Sequence, residues 1–162
     1  MVSSAPNDHE IYDSIRKKWV KATPEEKVRQ SLIKKMINEL SYPRELICIE
    51  KALSEISSVP LSKKEFPDRR VDIVCFMKDS SSTLRPLLLI ECKECSSLAE
   101  SARQQVIGYN HFIQACFVAI AYPEETEFGY YDKDSEKYVF IKNLPPYNVL
   151  MRVIENARKH GN

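Results

Sequence analysis

Glycine is scarce in this chain, with only 3 glycines in 162 residues. Walker and Rossmann phosphate-binding loops need several closely spaced glycines, so both are close to excluded. Long apolar runs are missing too: the longest, such as CFVAIAY and PLLLI, fall far short of the ~20 residues that span a bilayer. The first residues, MVSSAPNDHE, lack the cationic start and apolar run of a secretory signal.

Charge of one sign is not in excess, because 24 Lys and Arg oppose 23 Asp and Glu, for a formal net charge of +1. This balance excludes a polybasic nucleic-acid coat and an acidic tail protein, but it leaves room for a local nucleic-acid-binding patch. The N-terminal half is basic, whereas acidic residues concentrate in Glu124–Glu127 and Asp132–Glu136. The late acidic segment is therefore expected to face away from a nucleic-acid backbone.

Disulfides are not expected, because the cysteines are odd in number and most of them lie in apolar, strand-like runs. Cys92 and Cys95 have the Cys-x-x-Cys spacing of a redox motif or of one of the two ligand pairs in a zinc site. A structural zinc site needs a second ligand pair, and the histidines are not at ligand spacing. The pattern predicts a protein of the reducing cytoplasm without a zinc site. The residues concerned are Cys48, Cys75, Cys92, Cys95, Cys116, His9, His111 and His160.

The length suits one domain that buries roughly 70% of its unfolded surface. The polar residues 1–22 are expected to form an N-terminal arm, and residues 23–162 a single domain. Thr23, Pro24 and Glu26 have the pattern of a helix start, with an N-cap, a proline at the first helical position and an acid three residues after the cap. An apolar stripe at helical spacing predicts that this helix continues to about residue 40.

The rest of the chain alternates strand-like and helix-like segments. LICIEKAL favours a strand, although residues 45–56 also suit a helix, and residues 57–68 are expected to form a loop. RRVDIVCFMK and RPLLLIECKE are the clearest strands, joined by a polar loop at residues 79–83. A helix over residues 98–115 is predicted before CFVAIAYP, a strand buried on both faces. EFGYYDKDSEKYVFIK predicts a hairpin, and residues 146–158 a closing helix.

Three charged residues interrupt the two clearest strands: Asp72, Glu91 and Lys93. Residues two apart share one face of a strand, so Glu91 and Lys93 point the same way, and strand pairing can bring Asp72 beside Glu91. Two adjacent carboxylates repel unless a cation lies between them, and hard oxygen ligands suit Mg²⁺ or Mn²⁺. Lys93 could then orient or deprotonate a water for attack on a phosphodiester. From residue types alone, an equally good interpretation is that Asp72, Glu91 and Lys93 form salt bridges between the two strands and bind no metal.

The aspartate followed about twenty residues later by Glu-x-Lys on the next strand resembles the PD-(D/E)xK nuclease superfamily. YDSIRKKWVKATPEEKVRQ, YPRELICIE and LLLIECKE are similar to the nuclease domain at the N terminus of the restriction subunit of type I restriction enzymes, in its small stand-alone form. QVIGY reproduces the Gln-x-x-x-Tyr motif of this branch, and the resemblance covers about residues 11–122. It implies an α/β, restriction-endonuclease-like fold: a central mixed β-sheet flanked by helices, in the order α-β-β-β-α-β followed by a hairpin and a helix.

The resemblance also implies roles for the charged residues of the two strands. Asp72 and Glu91 match the metal-binding carboxylates, with the backbone carbonyl of Cys92 as a further ligand. Lys93 matches the catalytic lysine. Val71 stands where the superfamily has a proline, and little effect is expected because proline is not a ligand.

Two helices are implied to complete the site. Glu26 matches the family's helical acidic residue, in contact with the metal directly or through water. Glu50 is a rival for this role, but Glu26 is preferred because it lies in the family's PEE-x-VRQ pattern. Gln105 and Tyr109 are four apart and share one helix face, from which they would support the active site and contact nucleic acid. Without the resemblance they would be ordinary residues beside a core-packed helix.

Nucleic-acid contacts are expected from basic residues, which bind phosphates without reading sequence. Any one basic pair is more often a solvated face. Arg69 and Arg70 are favoured because they directly precede the strand of Asp72. The candidates are Arg16, Lys17, Lys18, Arg29, Lys63, Lys64, Arg69 and Arg70.

Three functions follow as hypotheses. The first is a Mg²⁺-dependent or Mn²⁺-dependent DNA endonuclease. The second is a catalytically silent module that binds nucleic acid or docks a partner, and the third is a structural domain with a salt-bridge row. The chain has no ATP-binding loop and therefore no motor, so a protein partner is expected to supply any targeting or motor function.

Overall fold

The structure, a computed structural model, describes residues 8–57 and 59–161. A two-stranded hairpin precedes a mixed α/β body. The strands are β1 Glu10–Asp13, β2 Lys18–Lys21, β3 Ile47–Ala52, β4 Arg70–Lys78, β5 Leu84–Cys92, β6 Phe117–Ala121, β7 Thr126–Asp132 and β8 Lys137–Lys142. The helices are α1 Pro24–Asn38, α2 Leu53–Ile56, α3 Ala99–Ile113 and α4 Tyr147–His160.

The central sheet has six strands in the order β3-β4-β5-β6-β7-β8. All neighbours are antiparallel except β5 and β6, which are parallel. A parallel pair needs a crossover connection, and α3 supplies it. The predicted order of elements and the mixed sheet flanked by helices are therefore confirmed.

Hydrophobic cores lie on both faces of the sheet. Ile90 of β5 belongs to the cluster that contains Met36 of α1 and Leu150 of α4. Its neighbour Leu89 belongs to the cluster that contains Val106 of α3. Because successive strand residues face opposite sides, β5 is buried from both directions, and any charged side chain near its end is held in a largely apolar setting.

The start of α1 has the predicted cap. The Thr23 hydroxyl accepts a hydrogen bond from the backbone N–H of Glu26 at 3.1 Å, and Pro24 occupies the first turn. This fixes the position of Glu26 in the first turn of α1. LICIEKAL contains a strand that passes directly into the short α2, so each of its two interpretations holds for part of the segment.

The N-terminal hairpin was not predicted, because its two strands are short and rich in charge. Strands β1 and β2 pair antiparallel, and the rings of Tyr12 and Trp19 meet edge to face at a centroid distance of 5.5 Å. Residues 1–7 of the expected arm lie outside the described residues. The division of the chain into an arm and a domain stays a prediction.

Across residues 8–57 and 59–161, no helix combines the length and the apolar character that a bilayer crossing requires.

Candidate functional site

The two central strands bring Asp72 and Glu91 together. Strands β4 and β5 are antiparallel, and Ile73 lies opposite Ile90. The neighbouring pair of positions is therefore Asp72 on β4 and Glu91 on β5, and each carries a carboxylate. The two carboxyl groups are close enough for Asp72 to raise the pKa of Glu91, and Oδ2 of Asp72 accepts from the backbone N–H of Cys92 at 2.7 Å. The juxtaposition expected from strand pairing is thus present.

Glu91 is buried, with 6% of its surface exposed. Burial and the neighbouring charge of Asp72 raise the pKa of Glu91 to about 8, although Lys93 opposes the shift. Both effects disfavour a second negative charge at this place. At neutral pH the pair therefore keeps a proton, and another cation could take the place of that proton.

Lys93, Gln105 and Tyr109 form a connected network beside Glu91. The Lys93 ammonium donates to Oε1 of Gln105 at 2.8 Å and lies 3.3 Å from Oε1 of Glu91. Nε2 of Gln105 donates to the same Glu91 oxygen at 2.8 Å and to the Tyr109 hydroxyl at 3.0 Å. One helix turn of α3 thus fixes the orientation of both Glu91 and Lys93, since an amide can accept from the lysine while it donates to the carboxylate.

Arg29 of α1 is the centre of a carboxylate cluster on the other side of Asp72. Its Nη2 lies 2.5 Å from Oδ1 of Asp72 and 2.5 Å from Oε1 of Glu50. Its Nη1 donates to Oε2 of Glu26 at 2.6 Å. Burial alone would lower the pKa of Arg29, but the three carboxylates outweigh it and raise the pKa above its usual range. Arg29 therefore carries a permanent charge that neutralises part of this cluster.

Glu50 reaches the cluster through an unusual backbone conformation. Its φ of 54° lies in the left-handed region, which costs a non-glycine residue on the order of 1 kcal/mol or more. Two arginines hold it: Arg29 contacts its carboxylate, and Arg70 donates to its carbonyl oxygen at 2.6 Å. The structure thus brings both rivals for the helical acidic role, Glu26 and Glu50, against Arg29.

The N-terminal hairpin connects to the same cluster, a link that sequence reasoning missed. Asp13 is fully buried and accepts from the backbone N–H groups of Ile15 and Arg16, each at 2.8 Å. It also pairs with the Arg16 guanidinium, which donates in turn to Oε1 of Glu26 at 3.0 Å. An aspartate that closes its own turn is a recognised local pattern, so Asp13 had a signal in the sequence, whereas the contact between Arg16 and Glu26 had none.

The carboxyl pair fits a metal of the Mg²⁺ type only in part. Among the described residues, no three acidic, histidine or cysteine side chains are grouped as a complete ligand set. Mg²⁺ commonly keeps several waters and takes one or two carboxylates plus substrate phosphates, so a complete protein cage is not required. Asp72 and Glu91, with the carbonyl of Cys92, are the residues that could hold such an ion.

The basic residues predicted to contact nucleic acid differ in their exposure. Arg29, predicted to contact nucleic acid, has only 6% of its side chain exposed and faces carboxylates, so that role stays a prediction. The remaining candidates for phosphate contact range from partly to fully exposed. They are Arg16, Lys17, Lys18, Lys63, Lys64, Arg69 and Arg70.

Cys92 and Cys95 lie in different settings. Cys92 is fully buried in the core, and burial raises the pKa of its thiol well above the usual range. Cys95 is partly exposed, and its Sγ lies 2.8 Å from the Ser97 hydroxyl. All five cysteines are free thiols in the structure.

The six-stranded mixed sheet and the helices on its faces define a domain with a restriction-endonuclease-like fold. The chain belongs to the family described as type I restriction enzyme R protein N terminus, whose family model matches residues 24–145, about three quarters of the chain. Searches of curated proteins and of solved structures found no match. The family agrees with the resemblance seen in the sequence.

Glu91 should make the stability of the metal-free protein depend on pH. Its folded pKa of about 8 lies above the ordinary value of 4.5, so the folded state holds the proton more tightly. The stabilisation is complete below pH 4.5 and is lost as the pH rises through 8, with a slope of at most about 1.4 kcal/mol per pH unit. In Glu91→Gln this loss should disappear from the free energy of unfolding, measured with urea in EDTA.

Glu124→Gln removes an exposed carboxylate and serves as the control, which should follow the wild type. If Glu91→Gln also follows the wild type across this range, Glu91 does not hold the proton.

Proposed function

We propose that this domain is a divalent-metal-dependent nuclease that hydrolyses phosphodiester bonds of DNA. The observation that supports this most is the convergence of Asp72, Glu91 and Lys93 at the end of two buried strands, with Gln105 ordering the last two. Mg²⁺ or Mn²⁺, when bound, would polarise the phosphoryl oxygen and stabilise the charge that develops on it.

Each residue of the chain has a distinct part in this proposal. Asp72 and Glu91 would hold the ion through carboxylate oxygens, and the Cys92 carbonyl would be a further oxygen donor. The Lys93 ammonium orients the attacking water and stabilises negative charge near the phosphate. Its separation of 3.3 Å from Glu91 keeps it beside the reacting groups. Gln105 and Tyr109 keep Lys93 and Glu91 aligned and lie where nucleic acid would pass.

Glu26 acts in the proposal at the margin of the site. Its carboxylate is held by Arg16, Arg29 and Gln30, at distances between 2.6 and 3.0 Å. A water-mediated contact with the ion is therefore more compatible with its position than a direct one. DNA is the proposed substrate, and a protein subunit that supplies targeting or motor function is the proposed partner, because the family is a part of type I restriction enzymes.

A catalytically silent nucleic-acid-binding or partner-docking module is the second candidate function. One observation favours it: Arg29 already supplies a positive charge 2.5 Å from Asp72 and from Glu50, so these carboxylates are balanced without a metal. Such a module would bind DNA with little dependence on divalent ions. In that case Asp72 and Arg29 form part of a structural ion-pair network.

The test combines metal binding with cleavage. Purified protein is titrated with Mn²⁺ by calorimetry and incubated with supercoiled and linear DNA in Mg²⁺ or Mn²⁺. Wild type is expected to bind the ion and to cleave, whereas Asp72→Asn should lose both, because it removes a ligand charge while the side-chain shape is kept. Asp134→Asn, in an exposed turn, is the matched control.

The outcomes separate the candidate functions. Cleavage that persists unchanged in Asp72→Asn contradicts the proposed site. DNA binding without Mn²⁺ heat and without cleavage supports the silent module.

A further inference from the structure

A cleft beside the carboxylate cluster has four basic residues and one acidic residue among the nine residues that line it. It has a volume of about 420 Å³ and lies between the turn of the N-terminal hairpin and strand β3, one of the two edge strands of the sheet. Its charged lining consists of Arg16, Lys18, Lys51, Arg70 and Glu50. Four cations therefore face one carboxylate, and that carboxylate is already paired with Arg29 at 2.5 Å.

Three of these cations carry uncompensated charge. Lys18, Lys51 and Arg70 are exposed, and within the described part of the chain none of them has a carboxylate within 4.0 Å. Arg70 donates only to the backbone carbonyl of Glu50, which leaves most of its donors available. An excess of positive charge in a concave surface attracts an anion more strongly than the same charge on a flat one.

The walls of this cleft are held in place by buried contacts. Asp13, fully buried, closes the hairpin turn and holds Arg16, and Arg16 is anchored to Glu26 of α1. On the other wall, Glu50 is held by Arg29 and Arg70. Ion pairs and hydrogen bonds therefore hold both walls of the cleft.

The same contacts join the cleft to the proposed reaction centre. Glu50 of the cleft shares Arg29 with Asp72, and both carboxylates lie 2.5 Å from the same guanidinium nitrogen. The cleft therefore adjoins the ion-pair cluster that contains Asp72.

The other side of the hairpin is basic as well. A second cleft, of about 450 Å³, contains Lys27, Lys34 and Arg44, and no Asp or Glu lines it. Positive charge on both sides of one hairpin indicates a ligand with many phosphates and not a single phosphate group.

We infer that the N-terminal hairpin and the edge strand β3 form a cleft that binds the sugar-phosphate backbone of DNA, with Lys18 and Lys51 as phosphate contacts from its two walls. The inference rests on the proposed function for the choice of DNA as the polyanion. Lys18 was already a candidate phosphate contact from the sequence, whereas Lys51 and the pairing of the hairpin with β3 as two walls of one cleft carried no expectation from it.

Binding of a fluorescent DNA duplex, measured by anisotropy in EDTA, tests this cleft without any cleavage. Each phosphate contact contributes about 0.9 to the slope of log affinity against log salt, so each lost lysine should weaken binding about eightfold at ~0.1 M salt. The double variant Lys18→Gln/Lys51→Gln should therefore bind about sixtyfold more weakly and lose about two from the slope.

The control is Lys133→Gln/Lys137→Gln, which removes the same charge from exposed positions on the acidic late hairpin. It should bind DNA as the wild type does. Thermal melting of all variants shows whether they are folded. Equal affinity of the Lys18/Lys51 variant and the wild type, an equal loss in both pairs, or a loss for RNA but not for DNA would each overturn the inference.

This experiment also separates the cleft from the nuclease proposal. DNA binding that depends on Lys18 and Lys51 without cleavage in any divalent ion supports the cleft and contradicts hydrolysis. Cleavage in Mn²⁺ combined with wild-type binding by the Lys18/Lys51 variant supports hydrolysis and overturns the cleft.

Discussion

Replacement of Lys93 by methionine is expected to lower the single-turnover rate of metal-dependent DNA cleavage by about 10²–10³-fold, the range for removal of one preorganised donor that stabilises developing charge. Methionine keeps the stem of the side chain and removes only the ammonium. That ammonium lies 2.8 Å from Gln105 and 3.3 Å from Glu91, in the position from which it would orient the attacking water.

A measurement of metal binding distinguishes a catalytic role of Lys93 from a role in holding the metal ion. Calorimetric titration of Lys93→Met with Mn²⁺ should retain a binding isotherm, because Asp72 and Glu91 are unchanged. Lys133→Met, in an exposed turn, is the control and should cleave at the wild-type rate. A Lys93→Met protein that cleaves like the wild type would show that this lysine only balances charge beside Glu91.

Replacement of Arg29 by methionine is expected to lower the free energy of unfolding by about 3–5 kcal/mol, the usual cost of removing one partner from a buried ion pair. Arg29 is 5% exposed, and three carboxylates lie within 2.6 Å of its guanidinium. Without it, Asp72, Glu26 and Glu50 repel one another in a setting with little water. Urea unfolding at neutral pH in EDTA measures the loss.

A control variant and a double variant test the reason given for this loss of stability. Arg85→Met breaks the pair between Arg85 and Asp79, in which 60% of the arginine side chain is exposed, so it should cost no more than about 1 kcal/mol. Adding Asp72→Asn to Arg29→Met should recover part of the loss, because one of the repelling charges is removed. Equal small losses in Arg29→Met and Arg85→Met would contradict the central position of Arg29.

The contacts of Arg29 include one between residues close in sequence and one that depends on tertiary packing. Its ion pair with Glu26 joins residues three apart on one helix, a spacing at which side chains are neighbours. Asp72 is 43 residues further along the chain, and its contact with Arg29 depends on how α1 packs on the sheet. As a basic residue, Arg29 was a candidate for phosphate contact, whereas the structure surrounds it with carboxylates.

The pairing of Asp72 with Glu91 is an intermediate case. Alternation along two apolar strands, together with the short polar loop between them, restricts their relative register. Antiparallel pairing of neighbouring strands then brings the two carboxylates together, as the structure shows. The network of Gln105 with Lys93 needed the family motif as well, because it joins a helix to a strand across the parallel crossover.

Short-range rules thus accounted for the Thr23 cap, the buried strands and the two later hairpins, because each depends on groups a few residues apart. Short-range rules did not predict the N-terminal hairpin, because strands of four residues with charged ends show little hydrophobic pattern. Its contact with Glu26 and the bent backbone at Glu50 exist only because α1, β3 and β4 pack together. Tertiary packing decided which cation faces Asp72, since buried carboxylates must be balanced by whichever positive charge the packing brings within reach.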